Sequence, residues 1–290
     1  MRYYLLITAL LLASTYAYAE FPTDNWQQSS DKVDVIQPVV YGTGGGRDLS
    51  LALYLPKKRG GPFPAVVFVH GGGWQGGSAI HFSRQSMILA EAGYACVCIE
   101  YRLSGEAPFP AQIEDVKCAI RFLRAHAHKY KIDKNRIAVA GGSAGGHLAL
   151  LAASSGGVAA LEGSGGWQEQ SSNVQAGAGF NPAVKIAHKS NSSVLKLIGV
   201  DYDKNPDAYR AAEPETYIDP GDPPVLLLHG TADKIVPYSE AVYYTSKLRS
   251  IGIIAELYTD FDVGHAWFNS SPYLERTTQA LLRFISVYMK

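Results

Sequence analysis

Ile137-Ala138-Val139-Ala140-Gly141-Gly142-Ser143-Ala144-Gly145-Gly146-His147-Leu148 is the stretch that decides the fold. Its apolar start reads as a short buried strand, and the small residues after Ser143 open a helix. Ser143 has a glycine two positions away on either side, Gly141 and Gly145. A sharp strand-to-helix turn brings backbone and helix too close for a β-carbon there, and it lifts the serine hydroxyl out of the sheet edge into a cleft. The bland reading is a Gly-rich turn whose serine merely caps the helix. In a chain with 29 glycines the pentapeptide alone does not separate the two; its partners do.

Three further segments supply partners. His70-Gly71-Gly72-Gly73-Trp74 follows the strand-like run Ala65–Val69. Glycines let backbone N–H groups face a ligand, so Gly72 and Gly73, with Ala144 after the serine, are the expected oxyanion hole. The acid candidate is Asp233, four residues past the strand Val225–His229, and the base candidate is His265, after the strand Ile253–Tyr258. Serine, aspartate and histidine in that chain order, each in a loop after a strand, would gather at the carboxyl edge of one sheet. Asp260 and Asp262 lie closer to His265 in sequence, but the acid must reach the ring nitrogen opposite the serine. Among rival histidines, His126 and His128 sit near a charged helix end and are expected to be solvated. His81 and His188 lie in polar surroundings, His147 is expected on the packing side or the first-turn surface of its helix, and His70 and His229 end strands, where backbone bonding is the ordinary role.

Across the 290 residues, apolar strands and helical stretches alternate, which indicates an α/β fold: a mostly parallel central sheet with helices on both faces. The expected elements include strands over Val33–Tyr41 and Leu49–Leu55 split by a turn at 42–46, a strand over Ala95–Tyr101, and helices over Phe82–Ala92, from Pro110, and over Pro272–Tyr288. Residues 182–224 lack strong periodicity and read as an insert arching over the sheet edge; whether it acts as a lid is open. The segment 156–166 reads as a second, mobile loop. Neither a separate cap domain nor an internal repeat is visible. Residues 1–19, with Arg2, an apolar stretch and Ala17-Tyr18-Ala19, have the pattern of a secretory signal peptide, leaving one domain over 20–290 and a secreted or periplasmic destination. Lys plus Arg and Asp plus Glu number 26 each, so nothing points to nucleic acid or an anionic membrane as partner. Of three cysteines, Cys96 and Cys98 share one side of a strand and cannot easily bridge each other. A bridge from Cys118 to either is open, with buried free thiols the expected state.

These residues resemble the α/β-hydrolase esterases related to hormone-sensitive lipase, closest to the bacterial acetylxylan and feruloyl esterase-like branch. The carrying segments are His70–Trp74, Tyr101–Leu103 with Pro108–Pro110 and Ile113–Asp115, Gly141–Leu148, and the Asp233 and His265 loops. The resemblance implies that Ser143, Asp233 and His265 form a catalytic triad, that Gly72, Gly73 and Ala144 form the oxyanion hole, and that no metal or organic cofactor is required. Gly142 stands where such relatives commonly carry an acidic residue, and little chain is left between Glu20 and Val33 for an amino-terminal cap. Both departures point to the capless polysaccharide-esterase branch. Arg102 and Asp115 read as a structural ion pair.

The expected activity is hydrolysis of carboxylic esters through an acyl-enzyme, on a small-molecule or polysaccharide substrate. Acetyl, feruloyl and simple short-chain esters all fit, with Trp74 and Trp267 as candidate pocket walls. A generalist carboxylesterase or a formamidase shares the motifs, and a binding protein on the same fold is the non-enzymatic alternative. Gly71-x-Gly73-x-x-Gly76 followed by Glu100 formally matches a dinucleotide fingerprint, but that reading leaves the Ser143 turn unexplained.

Overall fold

An apolar strand buried on both sides needs a helix layer over each face. The computed structural model, which describes residues 27–58, 60–186 and 192–290, has that layering. The expected leader at 1–19, the residues just after it and His188 lie outside the described residues. Among the described residues, β1 (Val33–Gly44), β2 (Arg47–Pro56), β3 (Phe63–Val69), β4 (Ala95–Ile99), β5 (Ile132–Gly142), β6 (Ala176–Phe180), β7 (Val225–Gly230) and β8 (Ala255–Asp260) form one sheet. Its order is β1-β2-β4-β3-β5-β6-β7-β8. Only the β1–β2 and β2–β4 pairs are antiparallel; from β4 through β8 the strands run parallel. The helices are α1 (Ser83–Ala92), α2 (Ala111–Ala125), α3 (Ala127–Tyr130), α4 (Ala144–Ser154), α5 (Ser192–Ile198), α6 (Pro206–Ala212), α7 (Tyr238–Ser250) and α8 (Tyr273–Tyr288).

The period-two alternation of β5 sorts the two layers. Ile137 and Val139 pack with Ile113, Val116 and Ile120 of α2 and with Leu148 and Leu151 of α4. Ala138 and Ala140 face the other way, toward Leu89 of α1 and Leu281 and Phe284 of α8. Small residues suffice on that side because aromatic rings fill it: Phe82 stacks on Phe68 at 4.9 Å and lies 5.8 Å from Phe268. α7 covers the far end of the first face, with Tyr244 and Leu248 against Val225 and Leu227.

Several boundaries differ from expectation. β1 and β2 continue through the glycines expected to be a turn, because Gly42 pairs with Leu49 and Gly44 with Arg47, leaving only Gly45 and Gly46 at positive φ to reverse the chain. Ladder bonds use backbone alone, so glycine there does not break the strand. β5 starts at Ile132 rather than Ile137, its polar leading end reaching Phe63 of β3. Among its described residues the insert holds two α-helices, α5 and α6, and Asn205 caps α6 by accepting from Ala208 N–H at 3.2 Å.

The segment 156–166 is tied down rather than free. Buried Lys117 donates to Ser155 O and to Glu162 Oε1 at 2.9 Å, and buried Arg121 donates to Glu162 Oε2 at 2.7 Å. Gly165 O accepts from Thr43 N–H at 3.0 Å, and Trp167 Nε1 donates to Tyr41 O at 2.8 Å. His126 also packs rather than standing in solvent, its ring 4.2 Å from Phe122 and 4.6 Å from Trp167. All three cysteines are buried and free. Cys96 and Cys98 face the α1/α8 layer while Cys118 lies in the α2/α4 layer, so the sheet stands between them.

His70 at the end of β3 is buried, donates from Nδ1 to Gly71 O at 2.8 Å, and stacks on Tyr101 at 4.3 Å. Burial pushes its pKa down from 6.5 to about 4, partly opposed by the bond to Gly71. Between those values the unfolded chain binds the extra proton, so this contribution is whole above pH 6.5 and is lost as pH falls toward 4, with an upper limit of about 3 kcal/mol. Thermal midpoints measured across that interval are expected to fall with acidification, and the slope is expected to flatten in His70→Asn. A β-carbon on Gly145 would fall on the carbonyl oxygens of Val69 and His70. Gly145→Ala is therefore expected to lower stability by about 3 kcal/mol or prevent folding, read from the urea midpoint.

Candidate active site

The site is built where β5 ends. Ser143 is the first residue beyond the strand and holds φ 53°, ψ −117°, a conformation costly for a residue with a side chain. Its N–H bonds Phe180 O at 2.8 Å, and its carbonyl accepts the first helical bond, from His147 N–H at 2.9 Å. The turn is thus held from β6 on one side and α4 on the other. A β-carbon on Gly142 would come within 2.7 Å of the Phe268 ring. An acidic residue at this position, as hormone-sensitive-lipase relatives commonly carry, would have to displace that ring.

Ser143, His265 and Asp233 come together. Ser143 Oγ lies 2.9 Å from His265 Nε2, and His265 Nδ1 lies 2.7 Å from Asp233 Oδ2. A carboxylate facing Nδ1 fixes the proton there and leaves Nε2 bare toward the serine. The other carboxylate oxygen, Oδ1, accepts from the N–H groups of Ile235 and Val236 at 2.8 and 2.9 Å. Burial raises the Asp233 pKa, but hydrogen bonds from His229, His265 and Val236 N–H more than offset that and hold the carboxyl well below the usual range. Of the rival acids, Asp260 is engaged elsewhere, accepting from Trp267 Nε1 at 2.8 Å and Arg276 at 3.0 Å, and it is Asp233 that meets His265 Nδ1.

The loop after β3 lies alongside. Gly71 approaches the elbow so closely that a β-carbon on it would stand 2.8 Å from Gly142 O and 3.4 Å from Ser143 Cβ. Gly72 and Gly73 both hold positive φ, 118° and 60°, and Gly72 O accepts from Gln75 and Gly76 N–H, each at 3.1 Å. Ala144 is the first residue of α4, where N–H groups have no intrahelical acceptor and the helix dipole is positive. The glycine loop, through Gly71, and the start of α4 therefore both adjoin Ser143.

The two tryptophans are buried. Trp74 is 4 % exposed and donates from Nε1 to His147 Nδ1 at 3.2 Å; His147 in turn donates from Nε2 to Ala212 O at 2.6 Å. Trp267 is 7 % exposed and lies edge-on to Phe268 at 5.7 Å. Arg102 and Asp115 make a two-point ion pair, with Nη2–Oδ1 at 2.7 Å and Nε–Oδ2 at 2.9 Å, and Glu114 joins at 3.0 Å.

Three further residues contribute, one in a role beyond the expected one and two not apparent from the sequence. His229 reaches Val236 O at 3.0 Å, as expected of a strand-end histidine, but also Asp233 Oδ2 at 3.3 Å. Ser193 of α5 accepts from Gln75 Nε2 at 2.6 Å, bringing the insert onto the glycine loop. Asn181, just past β6, lies 3.3 Å from His265 Nε2 through its Nδ2. An Asn-Pro pair after an apolar strand marks a turn, the one signal that could have drawn attention to it.

The chain as a whole is similar to known proteins. The family profile described as BD-FAE matches residues 51–248. Esterase LipQ of Mycobacterium tuberculosis is 30% identical over 80% of this chain and 56% of its own length. The isoprenylcysteine alpha-carbonyl methylesterase ICME of Arabidopsis thaliana is 30% identical over 77% of this chain and 54% of its own length. The chain thus spans just over half the length of these two relatives. A solved structure, a truncated form of a carbohydrate esterase from gut microbiota, superposes with a TM-score of 0.80 at 29% identity, covering 90% of this chain and 99% of that one. The chain belongs to the BD-FAE family, a hormone-sensitive-lipase-like group with the α/β-hydrolase fold.

Proposed function

We propose that the protein is an exported serine esterase that hydrolyses carboxylic esters through an acyl-enzyme. The observation that carries the reading is the unbroken relay from Ser143 Oγ through His265 to Asp233, at 2.9 and 2.7 Å, on a strained turn. Likeness to esterases of two kingdoms supports the reaction class.

In this reading Ser143 Oγ attacks the ester carbonyl carbon while its proton passes to His265 Nε2. The carbonyl oxygen takes the displaced electron pair, and the N–H groups of Gly72, Gly73 and Ala144 receive that charge. Asp233 steadies the imidazolium through Nδ1–H without taking the proton. His265 then protonates the departing alcohol oxygen, leaving the acyl group on Ser143. A water molecule repeats the sequence, with His265 as base, to release the acid and restore the serine. No step calls on a metal or organic cofactor.

For substrate we propose acetyl or feruloyl groups on plant polysaccharide. The support is the likeness to a truncated carbohydrate esterase, 99% of whose chain is covered by the match. The leader pattern at 1–19 agrees with a substrate met outside the cytoplasm.

Initial rates on acetyl, butyryl, octanoyl and feruloyl esters and on acetylated xylan test both parts. Ser143→Ala is expected to lose at least about a thousandfold in kcat with an unchanged thermal midpoint; full retained activity would falsify the assignment. The wild-type rates are expected to favour acetyl or feruloyl over octanoyl groups, and an octanoyl optimum would replace the polysaccharide reading with a lipid-ester one. Asp233→Asn puts an amide opposite Nδ1 and favours the wrong tautomer of His265. Its kcat is expected to drop about ten-thousandfold, measured on the same acetyl ester.

A further inference from the structure

We infer that Asn181 is a positioning residue that keeps His265 in its neutral, proton-accepting form. Asn181 is fully buried just past β6, at φ 38°, a left-handed conformation that asparagine tolerates better than most residues. Its backbone N–H bonds Leu228 O at 2.7 Å, which ties it to β7. Its Oδ1 accepts from Ala266 N–H at 3.0 Å. Only the carbonyl end of the amide can meet an N–H, so this bond settles which way the side chain faces. The donor end, Nδ2, is then turned to His265 Nε2 at 3.3 Å.

Nε2 therefore faces two donors, Ser143 Oγ–H at 2.9 Å and Asn181 Nδ2–H at 3.3 Å. Two ionisable groups act from the opposite side of the ring: Asp233, in the loop between β7 and α7, at Nδ1, and His229 of β7 on the same carboxylate oxygen at 3.3 Å. Asn181 carries no charge, and its contact with Nε2 is favourable only while that nitrogen is bare. Once Nε2 takes the Ser143 proton, two N–H groups face each other. The contact is restored when Nε2–H passes its proton to the departing ester oxygen. The amide thus resists imidazolium at rest and favours its onward discharge, while Oδ1 fixes the loop carrying His265. The kinetic part of this inference rests on the proposed ester hydrolysis; the protonation part does not.

Two variants separate these effects. Asn181→Asp keeps an oxygen for Ala266 and tolerates the positive φ, but turns the donor at Nε2 into a carboxylate oxygen. Asn181→Gly keeps the backbone conformation and removes the amide. The acid limb of kcat/KM on an acetyl ester and the NMR titration of the His265 ring, assigned with His265→Gln, would be recorded for each. Both midpoints are expected to move to higher pH, by about one unit or more in Asn181→Asp and by less in Asn181→Gly. A folded Asn181→Gly protein whose NMR titration matches wild type overturns the inference, because loss of a purely structural asparagine would not shift it; an unshifted Asn181→Asp titration also overturns it, because the side chain would then not face Nε2. If wild type hydrolyses no ester, the hydrolase reading fails, and the NMR titration still decides the role of Asn181.

Discussion

The structure depends on one close approach, that of the carboxyl ends of β3 and β5 to the start of α4. Gly141 lies against the carbonyl oxygens of Val69 and Gly145, and Gly145 against those of Val69 and His70. No side chain fits between these backbones, and their proximity turns the chain sharply enough to leave Ser143 at φ 53°. The strain is retained because parallel pairing on both sides of β5, to β3 and β6, over-determines the turn. Serine display, the nearness of the glycine loop and the direction of α4 all follow from that packing.

Around this turn the site is assembled from segments distant in sequence. The loop after β7 brings Asp233, the loop after β8 brings His265, and Asn181 directly follows β6. The glycine loop is held from the insert at two points. Trp74 reaches Ala212 through His147, and Gln75 reaches Ser193 of α5. The insert is therefore part of what fixes the geometry of the loop beside the serine. The charged cluster of Lys117, Arg121 and Glu162 stays apart, bracing the segment after α4 against α2. Its ions are tolerable in the interior because each is paired and also bonded to backbone or hydroxyl groups.

Much of this was legible from residue order alone. A strand, a glycine-flanked serine and a small-residue helix specify the turn through sterics, and sterics are local. Layering was legible too, because apolar runs too uniform for a one-sided sheet require cover on both faces. Asn181 was not, because its neighbours along the chain are Phe180 and Pro182, whereas its partners are Leu228, His265 and Ala266. The restraint on segment 156–166 was hidden for a related reason. Glycine content suggests freedom, but the cations that hold the segment sit on α2, some forty residues earlier. Strand ends were misplaced where polar or glycine residues pair through backbone alone, as in β1 and the start of β5.

The placement of the three thiols has a consequence for how the folded chain meets its surroundings. Cys96 and Cys98 are sealed on one side of the sheet and Cys118 on the other, and burial pushes the Cys98 and Cys118 thiols up to about 12 and about 11. Exchange chemistry needs an accessible thiolate, which the folded chain does not offer. The folded protein thus holds no cross-link for glutathione to undo, and its thiols are shielded from exchange with thiols in its surroundings.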